Sequence, residues 1–385
     1  MTPAKILPSQ LLASLEARRR QMVAFIRQLV EQESPSFNKP AVDSLACFLA
    51  ATLERTGARV RLHRVKEFGN HVQADFAAGS RAKPVLLLGH MDTVWDVGTL
   101  QRMPVRQKDG RLFGPGVYDM KAGIAHMIFA VDALRSIRGA LPRPVTIFLS
   151  SDEEVKSATS RAILEKLAKQ SEAVFVLEPS AGIRGALKTA RKGVGEYKLK
   201  VRGCAAHAGL DPQTGHSAIL ELARQIERIA GFNDARRGIT VNPGIVRGGT
   251  RTNVVAAEAE AEIDARIARL PDAPRLDRKF RALRPFDKMC RLEVAGGINR
   301  PPLERTPAVV GLFRKARAAA CELGFDIDEA SVGSGSDGNF TAALGIPTLD
   351  GLGAVGEGAH ADNESIVISE IPRRTALLAA LIDAL

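Results

Sequence analysis

Two adjacent glutamates, Glu153 and Glu154, close an apolar run that begins at Val145. β-Branched and large apolar residues followed by polar ones are typical of a core strand in a parallel sheet, and ligands bind at the carboxyl ends of such strands. Two neighbouring carboxylates there repel each other and resist desolvation unless a cation or a shared proton relieves them. The pair therefore predicts one carboxylate bound to a metal beside a second that is free to act as a base.

Other parts of the chain bring imidazole and carboxylate groups to comparable places. His90, Asp92 and Glu178 each follow an apolar run that predicts a buried strand, whereas Asp119 and His360 lie in glycine-rich loops. Imidazole and carboxylate ligands without a thiolate suit zinc or a similar divalent cation in a hydrolytic site. The candidate metal ligands are His90, Asp119, Glu154, Glu178 and His360.

Each of these residues also has an ordinary structural interpretation. His90 and Asp92 could form a simple hydrogen-bonded pair, and Asp119 could cap a helix. The two glutamates could be a solvated surface pair, and His360 could be an exposed loop residue. We favour a metal site because no single alternative explains why three strand ends and two glycine loops all carry residues of ligand type.

The middle of the chain has a different pattern. Residues 195–202 and 254–267 alternate between apolar and polar side chains, as half-exposed strands do. A helical stretch follows each of them, and further strands are predicted near 239–246 and 290–294. The resulting order, β-α-β-β-α-β, predicts a ferredoxin-like α+β domain.

Seven short motifs occur along the chain in the order GHMDTVW, GPGVYDMKAG, SSDEE, LEPS, CAAHAG, GSGSDGNF and GAHADNE. In type and order they resemble the motifs of the co-catalytic zinc hydrolases. That family includes glutamate carboxypeptidases of the carboxypeptidase G type, aminoacylases, acetylornithine deacetylase and succinyl-diaminopimelate desuccinylase. The resemblance runs from about Ser34 to the C-terminal helix, and its C-terminal motifs are closest to the glutamate carboxypeptidase branch.

The resemblance implies a zinc-exopeptidase-like α/β fold, with a mixed, mostly parallel sheet flanked by helices. We expect a catalytic domain formed by residues 1–191 and 301–385, interrupted by an inserted lid and dimerisation domain at 192–300. Sheets of the ferredoxin-like kind commonly pair at their edges, so we expect a homodimer formed through the inserted domain.

The resemblance also implies a role for each candidate ligand. Asp119 would bridge two zinc ions, and the peptide bond that follows it would be strained or cis. His90 and Glu178 would complete one metal site. Glu154 and His360 would complete the other, with cobalt or manganese as alternative metals.

Three further residues would take part in catalysis if the resemblance holds. Glu153 would be the general base that takes a proton from the water bridging the metals. Asp92 would orient the His90 imidazole through its second ring nitrogen. His207 would reach the active site of the partner subunit as an oxyanion donor, although outside the family it would be read as an exposed loop residue.

Four residues are candidates for substrate binding. Asn253 and Arg266 match the family's contacts with the substrate carboxylate, and a guanidinium fork suits that group. A salt bridge between Arg266 and the nearby Asp264 is the alternative. Ser336 and Gly338 could line the substrate pocket through backbone contacts or could form a simple turn.

Composition bears on partners and location. The net charge of +11 raises the possibility of nucleic-acid binding, but the basic residues are dispersed and the chain has only 2 Tyr and 1 Trp, with no basic-aromatic motif. We expect no nucleic acid and no membrane partner, since no stretch could span a bilayer. Four scattered cysteines and the lack of an apolar signal core at the N-terminus predict a cytoplasmic protein.

The expected function is metal-dependent hydrolysis of an amide bond through a metal-bridging hydroxide. The reaction would release a C-terminal amino acid, with glutamate as the first candidate, from a small N-acyl or peptidyl substrate. An N-acyl-amino-acid deacylase, like acetylornithine deacetylase or the aminoacylases, is the main alternative. A single-metal acylase and a catalytically silent metal-binding protein are more remote alternatives.

Overall fold

The computed structural model describes residues 8–385, and the chain forms two compact units. The larger, here the catalytic unit, comprises the described residues up to Ala190 together with Arg305–Val332 and Ser336–Leu385. The smaller, the inserted unit, comprises Arg191–Glu304 and Gly333–Gly335. The first seven residues lie outside the described residues. They include the start of the predicted catalytic domain and part of the N-terminal segment in which we expected no signal core.

Helices and strands are numbered in chain order. Before the insertion the chain forms α1 (Pro8–Ala17), α2 (Arg19–Glu31), α3 (Lys39–Arg55), β1 (Arg59–His63), β2 (His71–Phe76), β3 (Val85–His90), α4 (Thr99–Arg102), β4 (Arg106–Lys108), β5 (Arg111–Phe113), α5 (Ala122–Arg138), β6 (Val145–Ser150), α6 (Arg161–Gln170), β7 (Ala173–Val176) and β8 (Leu187–Arg191). The insertion forms β9 (Gly193–Arg202), α7 (Ala218–Ala230), β10 (Thr240–Gly248), β11 (Glu258–Ile267), α8 (Asp272–Arg281) and β12 (Arg291–Arg300). The last part forms α9 (Pro307–Glu322), β13 (Glu329–Val332), α10 (Gly338–Ala343), β14 (Thr348–Leu349), β15 (Gly356–Glu357), β16 (Ser365–Val367) and α11 (Glu370–Ala384).

A six-stranded sheet with the order β1-β2-β6-β3-β7-β14 forms the centre of the catalytic unit. β3 runs parallel to β6 and β7, and β14 runs parallel to β7, whereas β1 and β2 add an antiparallel edge. The predicted mixed, mostly parallel sheet is therefore confirmed. Every residue of β3, β6 and β7 is buried, which explains why these strands appear in the sequence as nearly continuous apolar runs.

Helices cover the six-stranded sheet on both faces, and alternate strand residues point to opposite sides. Leu87 of β3 belongs to the main core, which it shares with side chains of α2, α5 and α11. Its neighbours Leu86 and Leu88 pack instead with Leu164 of α6 and Phe340 of α10. Burial on both faces leaves the strand ends as the places where polar side chains can meet a ligand.

The inserted unit has the predicted β-α-β-β-α-β order. Its antiparallel sheet has the order β10-β11-β9-β12, and α7 and α8 contribute to a core on one face of that sheet. The ring of Tyr197 on β9 stacks on that of Phe280 on α8, with 3.7 Å between the ring centroids. The other face carries the charged residues of β11, so the alternating pattern in the sequence corresponds to one buried and one exposed face.

A small antiparallel sheet with the order β15-β16-β5-β4 completes the catalytic unit. β16 pairs with β5, with Ser365 opposite Phe113. This pairing holds the segment after β5 close to the segment between β15 and β16. Within residues 8–385, every helix is too short or too polar to cross a bilayer.

Candidate metal centre and active site

Four of the predicted site residues lie at or just after the ends of three neighbouring strands in the six-stranded sheet. His90 ends β3, Glu153 and Glu154 come shortly after β6, and Glu178 comes two residues after β7. Because β3 is parallel to both neighbours, the carboxyl ends of the three strands share one edge of the sheet. Residues far apart in the sequence are therefore brought to the same place.

Loops bring the other two candidate ligands to this edge. Asp119 lies in an irregular helical turn, Val117–Lys121, between β5 and α5. The peptide bond between Asp119 and Met120 is cis, as the family resemblance implied. His360 lies between β15 and β16 and has a left-handed backbone conformation with φ of 60°. The pairing of β16 with β5 brings the two loops together.

The five candidate ligands form two groups that share Asp119. His90 Nε2 lies 3.1 Å from Asp119 Oδ1 and 3.4 Å from Glu178 Oε1. His360 Nε2 lies 3.3 Å from Glu154 Oε1 and 3.6 Å from Asp119 Oδ2. The two carboxylate oxygens of Asp119 thus face different imidazoles, which is the arrangement expected of a carboxylate that bridges two cations.

The pKa values of the cluster residues show that their environment favours positive charge beside the carboxylates. Burial lowers the pKa of His90, but the Asp119, Asp92 and Glu178 side chains outweigh burial and raise that pKa well above its usual value. Burial raises the pKa of Glu154, against the opposing effect of the His360 imidazole. The Glu154 side chain in turn raises the pKa of His360 to about 9.

The donor set fits divalent metal ions. The ligand atoms of His90, Asp119 and Glu154 all lie within 4.8 Å of one another. Glu154 Oε1 is buried and, among the described residues, makes no hydrogen bond of normal geometry. A buried carboxylate oxygen of this kind is costly unless a cation satisfies it. Imidazole and carboxylate ligands of this number suit zinc and related metals.

Asp92 connects the two sides of the cluster. Its backbone carbonyl accepts a hydrogen bond from His90 Nδ1 at 2.9 Å, while its carboxylate oxygen Oδ1 lies farther from that nitrogen, at 3.5 Å. Nδ1 therefore carries a proton, so in the neutral ring that a metal would require, the Nε2 lone pair is directed at the cluster. The Asp92 carboxylate accepts hydrogen bonds from Ser36 Oγ at 2.7 Å and from the backbone N–H groups of Glu153 and Glu154 at 3.3 and 3.2 Å. Asp92 thus holds the turn that carries both glutamates.

Residues 86–384 match the model of peptidase family M20/M25/M40. The chain belongs to this family. Carboxypeptidase G2 from Pseudomonas sp. (strain RS-16) is 28% identical over 368 residues, which cover 94% of this chain and 88% of the relative. The resemblance stated from the motifs is confirmed, including its leaning towards the carboxypeptidase G branch.

Two further proteins show the range of this likeness. Acetylornithine deacetylase from Proteus mirabilis (strain HI4320) is 29% identical over 265 residues, 63% of this chain and 66% of the deacetylase. The YXEP protein of Bacillus subtilis, described as a dinuclear metal binding peptidase from the M20 family, has a similar fold with a TM-score of 0.69 at 17% identity. That alignment covers 96% of this chain and 98% of the other. The homologues of this M20 chain are thus metallopeptidases and amidohydrolases.

Two predicted residues lie together in the inserted unit of this M20 chain. The backbone N–H groups of Gly209 and Leu210 both donate to His207 Nδ1 at 3.1 Å. The ring proton must therefore be on Nε2, and the exposed imidazole presents an N–H donor. Asn253 is adjacent, because its carbonyl accepts a hydrogen bond from the N–H of Ala208 at 3.0 Å. The structure thus gives His207 the tautomer that an oxyanion donor needs.

Arg266 is engaged with Asp264 on the same strand. Its Nε and Nη2 atoms donate to the two Asp264 carboxylate oxygens, each at 2.8 Å. This is the salt bridge that the sequence left as the alternative for Arg266. Binding of a substrate carboxylate by Arg266 stays a prediction. The guanidinium would have either to release Asp264 or to bind Asp264 and the substrate carboxylate at the same time.

Ser336 and Gly338 are both buried in the catalytic unit. Ser336 Oγ donates to Asp350 Oδ2 at 2.6 Å and accepts a hydrogen bond from the Gly338 N–H at 3.1 Å. A Cβ atom at position 338 would lie 2.8 Å from Val176 Cγ2. These contacts form a tight turn before α10, which was the alternative interpretation, and a role in lining the substrate pocket stays a prediction.

Sequence reasoning assigned no role to Glu364 or Lys121. Glu364 accepts four hydrogen bonds from N–H groups around Asp119. Burial raises its pKa to about 7, although these four hydrogen bonds favour the carboxylate and oppose the rise. Lys121 is fully buried, donates to the Gln32 carbonyl at 2.6 Å and has its pKa lowered by burial to about 7. The available signal for Glu364 was its position four residues after His360 in the GAHADNE motif.

Proposed function

We propose that this M20 chain is a zinc-dependent carboxypeptidase that hydrolyses an amide bond and releases a C-terminal amino acid, glutamate first, from an N-acyl or peptidyl substrate. The observation that carries this proposal is the pair of imidazole-carboxylate groups sharing Asp119, with Glu153 next to one ligand. The choice of a carboxypeptidase rests on the similarity to carboxypeptidase G2 over 94% of the chain.

Two zinc ions per chain are the proposed cofactors. His90, Glu178 and Asp119 would hold one ion. Glu154, His360 and Asp119 would hold the other, and cobalt or manganese could take the same positions. When bound, a pair of such ions lowers the pKa of a water molecule and polarises the scissile carbonyl.

Glu153 is the proposed general base. It would accept a proton from the attacking water and deliver that proton to the nitrogen of the departing amine, so that no net proton is gained or lost. Its backbone N–H is held by the Asp92 carboxylate, and the Glu153 residue is buried. Both features support a carboxylate kept in one position beside the metal ligands.

His207 is the proposed oxyanion donor, acting in the active site of the partner subunit. Its N–H at Nε2 would donate to the carbonyl oxygen as that oxygen becomes negatively charged. Asn253 and Arg266 are proposed to hold the substrate carboxylate, and Ser336 and Gly338 to line the pocket. The hydrogen bonds that fix the His207 tautomer support the first of these roles.

We also propose a homodimer formed through the inserted domain, residues 192–300, between the two catalytic segments 1–191 and 301–385. The sheet of the inserted unit has β10 at one edge. Ile245 and Val246 on β10 and Ile219 and Leu220 on α7 are all exposed. An open strand edge beside exposed apolar side chains favours pairing with a second copy. The four cysteines are all free thiols, which suits the proposed cytoplasmic location.

An N-acyl-amino-acid deacylase is the second candidate. The 29% identity to acetylornithine deacetylase over 265 residues favours it. The metal ligands and the base would be the same, since both reactions hydrolyse an amide bond. In both reactions the released amino acid lies on the nitrogen side of the cleaved amide, so the candidates differ in the acyl group and the amino acid that are recognised.

The test is hydrolysis of N-acyl-glutamate, N-acyl-aspartate, N-acetyl-ornithine and a neutral dipeptide by zinc-reconstituted protein, beside Glu153→Gln. We expect cleavage of the glutamate compound, with loss of activity and retention of both metals in the variant. Preferred cleavage of N-acetyl-ornithine would replace the carboxypeptidase with the deacylase. Absence of turnover on the whole panel, with two metals bound per chain, would overturn both candidates.

A further inference from the structure

Glu364 lies where the two loop-borne metal ligands meet. We propose that it is a positioning residue that sets the spacing between Asp119 and His360 and thereby creates the second metal position, a role that rests on the metal centre described under the proposed function. The carboxylate belongs to the loop of His360, and its hydrogen-bond donors belong mainly to the loop of Asp119. It touches neither metal position itself and acts through the two ligands.

The Glu364 carboxylate is saturated by donors. Oε2 accepts hydrogen bonds from Trp95 Nε1 and from the Gly116 N–H, both at 2.8 Å. Oε1 accepts from the N–H groups of Tyr118 at 2.9 Å and Asp119 at 3.0 Å. The residue is 1% exposed, so these four bonds replace the water that a carboxylate would otherwise require.

Only a glutamate side chain satisfies this environment. Four N–H groups point at two oxygens, so both side-chain atoms must be acceptors. Glutamine would place an NH2 group against two of those donors, and aspartate is one methylene shorter. The loop has little room to adapt, because Gly116 has a φ of 71° and a Cβ there would lie 2.7 Å from Thr93 Cγ2.

Glu364 is linked more directly to the loop-borne ligands Asp119 and His360 than to the strand-borne ligands of the metal centre. The Asp119 N–H is bound to the carboxylate, and His360 is four residues before Glu364 in the same short loop. The loop is closed by the Glu364 N–H, which donates to the Ala361 carbonyl at 2.9 Å. His90 and Glu178, by contrast, follow strands of the six-stranded sheet.

Asp92 provides the matching contact on the strand side, where it binds the N–H groups of Glu153 and Glu154. A buried carboxylate therefore collects backbone N–H groups both beside the strand ends, through Asp92, and between the two loops, through Glu364. Loss of the Glu364 carboxylate should displace Asp119 and His360 relative to the strand-borne ligands. The metal position that contains both loop residues should weaken more than the position that contains Asp119 alone.

The experiment is a zinc titration of metal-free protein against a chromophoric chelator, with no substrate present, for the wild type and Glu364→Gln. We expect two zinc ions per wild-type chain. In Glu364→Gln we expect the affinity for the second ion to fall by about 10- to 100-fold, while affinity for the first changes by less than about threefold. Circular dichroism of both metal-free proteins establishes that the variant is folded.

Two further variants separate positioning from general destabilisation. Trp95→Phe keeps an aromatic ring and removes one of the four donors, so the affinity for the second zinc should fall in the same direction by a smaller factor. Glu357→Gln is the matched control, because Glu357 ends β15 directly before the His360 loop but forms an ion pair with Arg111 at 2.9 Å and is exposed. Its two zinc affinities should equal those of the wild type.

The outcomes distinguish this role from the proposed function. If the wild type binds two zinc ions and Glu364→Gln binds both equally well, or loses both equally, the positioning role is wrong and the metal centre stands. An effect of Glu357→Gln as large as that of Glu364→Gln would also overturn it. If the wild type binds fewer than two ions, the two-metal centre fails and the role of Glu364 fails with it.

Discussion

The catalytic unit and the inserted unit place acidic side chains in opposite environments. In the catalytic unit, Glu154 and Glu178 lie at a sheet edge with side chains only 10% exposed, and both face an imidazole. In the inserted unit, Glu260 and Glu262 lie on the open face of β11 with side chains 27% and 30% exposed, and they pair with Lys198 and Arg247. Burial and convergence distinguish the two sets, since residue type is the same.

This contrast has an energetic consequence. Removing a carboxylate from water costs free energy, which a cation or strong hydrogen bonds must offset. The residues that surround a buried carboxylate are therefore restricted to those that can supply such a partner. A carboxylate on an exposed sheet face keeps its hydration, and its ion pair contributes little. Substitutions should therefore have large effects at the sheet edge and small ones on the open face.

Asp119→Ala should have the largest effect. It removes the carboxylate shared by both imidazole groups, so we expect at most one zinc ion per chain. A loss of several kcal/mol of charge stabilisation corresponds to a fall in kcat of about 10³-fold or more. Zinc content by atomic absorption and kcat on the best substrate of the panel check this. Retention of two zinc ions with normal kcat would remove Asp119 from the centre.

Asp272→Ala tests whether burial, rather than membership of the catalytic unit, makes an acidic residue costly to replace. Asp272 is a fully buried carboxylate of the inserted unit, and Arg237 Nε donates to its Oδ1 at 2.8 Å. We expect a loss of about 2 kcal/mol in the free energy of unfolding, because Arg237 loses a charged hydrogen-bond partner but can still reach water. Urea denaturation measures this. Asp264→Ala, which removes an exposed partner of Arg266, is the control and should cost less.

The buried residue His126 should make the stability of the catalytic unit depend on pH. Thr375 Oγ1 donates to the Ile371 carbonyl, so it accepts from His126 Nδ1 at 2.9 Å. Burial lowers the pKa of His126 to about 3, below the usual 6.5. The unfolded chain therefore binds the proton more readily, and stability is complete above pH 6.5 and declines as the pH falls towards 3.

The decline should be about 1.4 kcal/mol per pH unit in that range. His126→Asn keeps a donor for Thr375 and removes the titrating group. Urea denaturation between pH 7 and 5 should therefore show a flatter pH dependence in the variant than in the wild type. Parallel curves for the two proteins would show that His126 does not set the acid sensitivity.

Glu262→Gln should have the smallest effect. Glu262 accepts from Arg247 at 2.9 Å on an exposed face, so the change in the free energy of unfolding should stay below about 0.5 kcal/mol. The difference should shrink further in 0.5 M salt, where exposed charges are screened. A cost as large as that of Asp272→Ala would contradict the contrast between the two units.

Much of the fold could be predicted from the order of the residues. The apolar runs before His90, Glu153 and Glu178 predicted buried parallel strands, because such strands must be apolar on both faces. The alternation in 254–267 predicted a strand with one exposed face, and β11 has that character. The motifs then identified the family, since their types and spacing are local properties of the chain.

The candidate ligands could also be selected from the sequence, because ligand types at strand ends and in glycine loops are visible there. Their pairing was implied by the family resemblance alone and could not be worked out from the residues themselves. That His90 faces Asp119 and Glu178, and His360 faces Glu154, depends on strand order and on the contact between β5 and β16. Strand order is a property of the assembled sheet and leaves no local trace in the sequence.

Tertiary structure alone decided the state of the individual polar groups. The tautomer of His207, the engagement of Arg266 with Asp264, and the four donors around Glu364 all depend on atoms from other parts of the chain or from a particular backbone turn. Hydrophobic periodicity is encoded locally because burial acts on each residue's own side chain. Hydrogen bonding and charge depend on distance in space, so for these groups the sequence determined the chemistry available and the fold determined its use.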